Sequence, residues 1–95
     1  MARFITRIEL HHSDDYTQLH TAMLNRGFAK IIQDDETGIW YNLPEAEYHC
    51  SSQLSLSEVQ NIASEVAEAI VGINFSSITT QSNGIRWANL TVFHP

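Results

Sequence analysis

An α+β sandwich, one antiparallel sheet with two helices on a single face, follows from three features of this 95-residue chain. The opening run, Ala2 to His11, alternates apolar and polar side chains with a period of two. Two later stretches repeat apolar residues at helical spacing. Each of them stands between strand-like runs, which gives the order strand, helix, strand, strand, helix, strand, strand.

In the first strand, Phe4, Ile8 and Leu10 share one face, and Arg3, Ile5, Arg7, Glu9 and His11 share the other. The first face can pack while the second meets a charged ligand. Ser13 or Asp14 is placed to cap a first helix, because a side-chain oxygen there accepts from backbone N–H groups that have no helical partner. Tyr16, Leu19, His20 and Met23 then recur at helical spacing, and Gly27 supplies a left-handed stop. Phe28 to Gln33 reads as the second strand. Asp34-Asp35-Glu36-Thr37-Gly38 carries the chemistry of a hairpin turn. Ile39 to Leu43 is the third strand, Pro44 interrupts its pairing, and an extended path resumes from Glu45 to Cys50.

The second helix has the clearest local signature. Ser55-Leu56-Ser57-Glu58 is a capping box, with Leu54 and Val59 at the positions of a hydrophobic staple. Val59, Ile62, Ala63, Val66, Ala67 and Ile70 form one apolar stripe, and Gly72 ends it. A further strand spans about Asn74 to Gln81. Ser82-Asn83-Gly84 predicts a tight turn into a last strand from Ile85 to about Phe93. Two strand-helix-strand units with a hairpin between them describe a ferredoxin-like βαββαβ sandwich plus an extra C-terminal strand, in a single domain over residues 1–95. That extra strand either extends the sheet of its own subunit or crosses to a partner.

Composition narrows the function. With 43% hydrophobic residues the chain fills one core. It has no run of about 18 apolar residues and no secretory signal at its start, so the expected location is cytoplasmic with no membrane partner. Cys50, the only cysteine, can form no internal disulfide and reads as a partly buried strand thiol. A net charge of −6 argues against a protein that grips nucleic acid over a wide basic surface. The acidic residues, however, fall in local groups, and most basic ones lie on strands. Local, weak contact with a transient RNA substrate remains open.

The residues Arg3 to His11, then Asp15-Tyr16, Leu19-His20, Met23 and Gly27-Phe28, then Tyr41-Asn42-Leu43-Pro44 with Glu45-Ala46-Glu47-Tyr48, resemble the GhoS-like family of endoribonuclease antitoxins in type V toxin–antitoxin systems. The resemblance runs on through Ser57 to Ala69 and into the Trp87 segment. It implies a fold like that of small CRISPR-associated nucleases, and cleavage of the messenger RNA of a small membrane toxin.

Metal-free RNA cleavage needs a base for the 2′-hydroxyl proton, an acid for the leaving oxygen and cations for the charged phosphorane. His11 or His12 can serve as base or acid, since imidazole titrates near neutrality. Arg7 is the second candidate catalytic residue. Arg3, Arg7 and Lys30 can hold phosphate of single-stranded RNA, unless they pair across strands with Glu9, Glu45 or Glu47. Trp40 can stack a base. Glu9, His11, Asp14 and Asp15 lie near the end of the first strand, where oxygen ligands suit Mg²⁺, but Asp14 and Asp15 are explained equally by helix capping. No metal site and no cofactor are assigned. The competing class is a non-enzymatic module whose open sheet face, carrying Ile5 and Trp40, pairs with its copy in a homodimer.

Overall fold

The computed structural model describes residues 1–95, and the period-2 strand at the N-terminus lies at its centre. The elements are β1 (Ala2–Leu10), α1 (Thr17–Asn25), β2 (Ile31–Gln33), β3 (Trp40–Asn42), β4 (Glu47–Ser52), α2 (Leu56–Val71) and β5 (Phe75–Ser82). β1 pairs antiparallel with β4 on one side and β5 on the other, giving the order β4-β1-β5. β2 and β3 form a separate antiparallel hairpin. Ala29 joins that hairpin to the outer edge of β4, exchanging two backbone hydrogen bonds of 2.7 and 2.9 Å with His49. The chain therefore runs β2, β4, β1, β5 across the molecule, and the arrangement is ferredoxin-like in the sense expected.

Alternation along β1 turns Phe4, Thr6 and Ile8 inward, each at most 1% exposed. Phe4 and Ile8 meet Tyr48 and Cys50 of β4, Leu19 and Met23 of α1, and Val59, Ala63, Val66 and Ala67 of α2. Each fully buried Phe, Ile, Leu or Met contributes about 1.5–3 kcal/mol relative to an exposed one. One seam of this interior is polar. Thr6 Oγ1 lies 2.8 Å from Thr79 Oγ1, Thr79 donates to Gln60 Oε1 at 2.6 Å, and the Gln60 amide donates to Ser77 and Ser64. Thr6 is fully buried, and this relay gives its hydroxyl a partner.

Local signals held where the chain needs no distant partner. The capping box forms as expected, with Ser55 Oγ accepting from Glu58 N and the Glu58 carboxylate accepting from Ser55 N. Gly27 and Gly38 take φ of +89° and +74°, conformations costly for a residue with a Cβ. Pro44 separates β3 from β4, and the chain turns there with Glu47 N donating to Pro44 O at 3.0 Å.

Two expectations shift. α1 starts later than the cap at Ser13 or Asp14 requires, and Asp15 instead accepts from Thr17 N at 3.0 Å, while Ser13 Oγ accepts from Asp15 N. The C-terminal strand from Ile85 to Phe93 does not form. Neither Asn83 nor Gly84 adopts the positive φ of a two-residue hairpin turn. The Ser82 hydroxyl binds both the N–H and the carbonyl of Gly84, a local alternative to a ladder. The segment leaves β5 and reaches the β2–β3 hairpin, where Asn42 N donates to Thr91 O and Phe93 N to Trp40 O, both at 2.9 Å. A single bridge, Tyr41 to Val92, is its only sheet pairing.

Candidate nucleic-acid interface

The face of the sheet opposite the helices is built by register. Arg3 lies between Ser51 and Ser82, Ile5 between His49 and Thr80, Arg7 between Glu47 and Ile78, and Glu9 beside Ser76. Directly paired residues share a face, so these side chains form one surface. His11 continues it. Its backbone N–H donates to Asn74 O at 3.1 Å, and its Nε2 lies 2.7 Å from Ser76 Oγ. Arg3, Arg7 and His11 thus share the outer side of β1, as the alternation requires. His12 is exposed, its ring edge-on to His11 with centroids 6.4 Å apart.

The charges on this face are already engaged. Arg7 donates through Nε and Nη2 to Glu9 Oε1 at 2.9 and 2.6 Å, and through Nη1 to Glu47 Oε2 at 3.0 Å. The hydrogen bonds that Arg7 donates to Glu9 are the main cause that raises its pKa. One cation facing two carboxylates leaves the middle of the face anionic, and it is an ion cluster rather than an apolar platform. Arg3 pairs with Asp35 in the β2–β3 turn at 3.3 Å.

Lys30 is placed differently from the phosphate contact expected of it. Its ammonium donates to the carbonyls of Pro44, Glu45 (3.0 Å) and Glu47 (2.9 Å), and stands 5.0 Å from the centre of the Tyr48 ring. All three donors of an ammonium are thereby used inside the chain. Burial lowers its pKa. Trp40 lies on β3, 43% exposed, apart from the β1 surface. The residues weighed as oxygen ligands also go separate ways: Glu9 holds Arg7, Asp15 accepts from Thr17 N, and His11 meets Ser76. No three of the His, Cys, Asp and Glu side chains gather as a set that could hold a metal ion. Cys50 is buried, and burial raises its thiol pKa, which leaves it a poor nucleophile.

A residue that sequence reasoning passed over is Arg86. Of the five lysines and arginines it alone makes no contact with an acidic residue or a distant carbonyl; its Nη1 donates to the neighbouring Ile85 O at 2.9 Å. It opens onto a cleft of about 350 Å³ between the C-terminal segment and the β2–β3 turn, lined also by Arg3, Asp35 and Trp87. Trp87 rests on Tyr41 with ring centroids 5.4 Å apart. The signal in the sequence was the absence of any charged residue from Ala69 to Ile85, which leaves Arg86 without a nearby acidic neighbour in the chain. His49 adjoins this region. Its Nε2 is buried without a hydrogen-bond partner, and burial together with Arg3 lowers its pKa.

Two comparisons bear on what such a surface does. The family model described as endoribonuclease GhoS matches residues 1–86. Among curated proteins, none matches the chain.

Proposed function

The chain belongs to the GhoS endoribonuclease family, and from that membership we propose that it is an antitoxin that cleaves single-stranded RNA, its target the messenger RNA of a small membrane toxin in the cytoplasm. The observation that carries this reading is the family match, which spans β1, both helices and the segment up to Arg86. An exposed histidine at the end of the outer sheet face, held by Ser76, supports it.

In this reading His11 removes the proton of a ribose 2′-hydroxyl, and that oxygen attacks the adjacent phosphorus. The new O2′–P bond forms as the P–O5′ bond breaks, leaving a 2′,3′-cyclic phosphate. His12 returns a proton to the departing 5′ oxygen. Ser76 holds the His11 ring by its contact with Nε2. Arg3 and Arg86 contact flanking phosphates, and Trp40 stacks a base. Arg7 faces the reacting phosphate only when the RNA displaces Glu9 or Glu47, which makes binding weak and dependent on salt. Lys30 takes no part.

The test is cleavage of labelled single-stranded RNA by the purified protein, alongside the variants His11→Ala and Arg7→Ala. Loss of general acid–base help costs on the order of 10²–10⁴ in rate, and the expected result is a loss of that size with an unchanged melting temperature. Undiminished cleavage by the double variant removes the assignment. The target is tested with the transcript of a neighbouring reading frame that encodes a short, hydrophobic peptide, which should be cut in preference to unrelated RNA.

A further inference from the structure

The cleft of about 350 Å³ between the C-terminal segment and the β2–β3 turn holds polar groups that the chain itself leaves unused. Its two walls differ in charge. On the turn side stand Asp34, Asp35 and Glu36. Arg3 takes one oxygen of Asp35, and the N–H groups of Glu36 and Thr37 take one oxygen of Asp34, whereas the Glu36 carboxylate has no partner in the chain. On the other side stand Asn83, Arg86 and Trp87. Arg86 uses a single donor, on the carbonyl of Ile85, and Trp87 leans on Tyr41 while it lines the cleft.

A carboxylate only accepts, a guanidinium only donates, and an indole offers a flat apolar face. A ligand that answers all three has an anionic group at one end, N–H donors at the other and a planar ring between them. A nucleotide has this form when its base carries an exocyclic amine. Adenine, cytosine and guanine do; uracil presents carbonyl oxygens instead, which would meet the carboxylates acceptor to acceptor. The size agrees, since pockets for small ligands span about 300–1,000 Å³.

We propose that this cleft is a subsite for one nucleotide of single-stranded RNA, which selects a base with an exocyclic amine and rejects uracil. Trp87 stacks the base, Glu36 accepts from the amine and Arg86 holds the phosphate. That the nucleotide belongs to an RNA strand rests on the ribonuclease reading; its capture by the cleft requires no cleavage. Arg3 lines the cleft near the start of β1 and His11 follows the end of that strand, so about 27 Å of extended chain separates the two places. The selected nucleotide therefore sits several positions along the RNA from the bond that is cut, and it acts on affinity rather than on the chemical step.

Titration of the ¹⁵N-labelled protein with the 5′-monophosphates of adenosine, cytidine, guanosine and uridine tests the proposal by nuclear magnetic resonance. The indole N–H of Trp87 and the backbone N–H groups of Glu36 and Asn83 should shift, with a Kd on the order of 1 mM for a single stacked nucleotide. Uridine monophosphate should bind at least about fivefold more weakly than the other three, the cost of an acceptor left without a donor. Trp87→Ala should weaken adenosine monophosphate by a similar factor or more. Because Trp87 also packs on Tyr41, Glu36→Lys is the second variant; it lies in an exposed turn, removes an acceptor and offers uracil a donor. It should bring uridine monophosphate level with the adenosine nucleotide or ahead of it. Equal binding of the two by the wild-type chain overturns the proposal, as do shifts that bypass the cleft or a Glu36→Lys variant with unaltered preference. Nucleotide shifts at the cleft in a protein that leaves RNA whole would remove the ribonuclease reading and keep the site, and cleavage with a silent cleft would do the reverse.

Discussion

The hydroxyl of Tyr48, a residue with no exposed surface, lies 2.6 Å from Nδ1 of His20, whose Nε2 lies 3.1 Å from Glu45 Oε1. This chain of contacts crosses from α1 to the start of β4, so it joins the first helix to the strand that completes the ladder with β1. Burial raises the pKa of the phenol well above its usual value and keeps it a neutral donor. Tyr48→Phe leaves the imidazole without its inner partner and should cost about 1–3 kcal/mol. For a domain of this size each kcal/mol lowers the melting temperature by about 4–8 °C. Thermal melts check the loss, and RNA cleavage per folded molecule should not change.

Lys30 is the residue for which stability and RNA affinity separate most cleanly. Lys30→Met keeps the stem over Tyr48 and deprives three carbonyls of their donor. Stability should fall by about 1.5–3 kcal/mol, the range for hydrogen bonds to a charged group. Urea unfolding measures that loss, while titration with labelled RNA should give an unchanged affinity. A folded, stable variant with weakened RNA binding would return Lys30 to the phosphate contacts.

The ion cluster on the outer face predicts a gain of function. Glu47→Gln removes one of the two carboxylates that compete with phosphate for Arg7. Exposed pairs are worth about 0.2–1 kcal/mol, so RNA affinity should rise by up to about fivefold. Arg86→Ala should act in the opposite sense and flatten the plot of log affinity against log salt by about 0.7, the slope per phosphate on a single strand. Fluorescence anisotropy across a salt series reads both. Affinity unchanged in Glu47→Gln would mean that Arg7 does not touch RNA.

His49 predicts an acid limb in the stability curve. Its pKa in the folded chain lies below the usual 6.5, from burial first and Arg3 second. The unfolded chain therefore binds this proton more tightly. The contribution to stability is complete above pH 6.5 and is lost as pH falls through the lowered folded value. His49→Gln should flatten that limb. Denaturation midpoints between about pH 7.5 and 4.5 decide it, and an unaltered slope would trace the acid sensitivity to the carboxylates.

What could be read from the sequence divides along the distance over which each signal acts. The capping box at Ser55 and Glu58, the left-handed Gly27 and the alternation of Arg3, Arg7 and His11 opposite Phe4 and Ile8 depend on neighbours within a few positions, and they appear as expected. Asn83-Gly84 looked equally local, but a hairpin also needs a second strand willing to pair. Ser82 offered its hydroxyl to Gly84 first, and Thr91 and Phe93 found partners on β3. The partners of Lys30 lie 14 to 17 positions away on a bend made by Pro44, so no spacing rule could find them. Glu47 was foreseeable in kind as a cross-strand partner of Arg7, and its approach depends on the β1–β4 register. Glu9 reaches the same guanidinium from two residues along β1 itself.

The hydroxyl and amide seam between α2 and the sheet bears on how the last strand finds its place. Ser-Ser-Ile-Thr-Thr-Gln-Ser is nearly monotonous, and a slide of two positions would keep the same sides in and out. Hydrophobic patterning therefore discriminates poorly among neighbouring alignments of β5. Thr79 can reach Thr6 and Gln60 together in only one of them. A slide of two would set Ser77 or Gln81 opposite Thr6 and break the link from Thr79 to Gln60, and the loss of that relay, at a single tooth, keys an otherwise smooth ribbon to its groove.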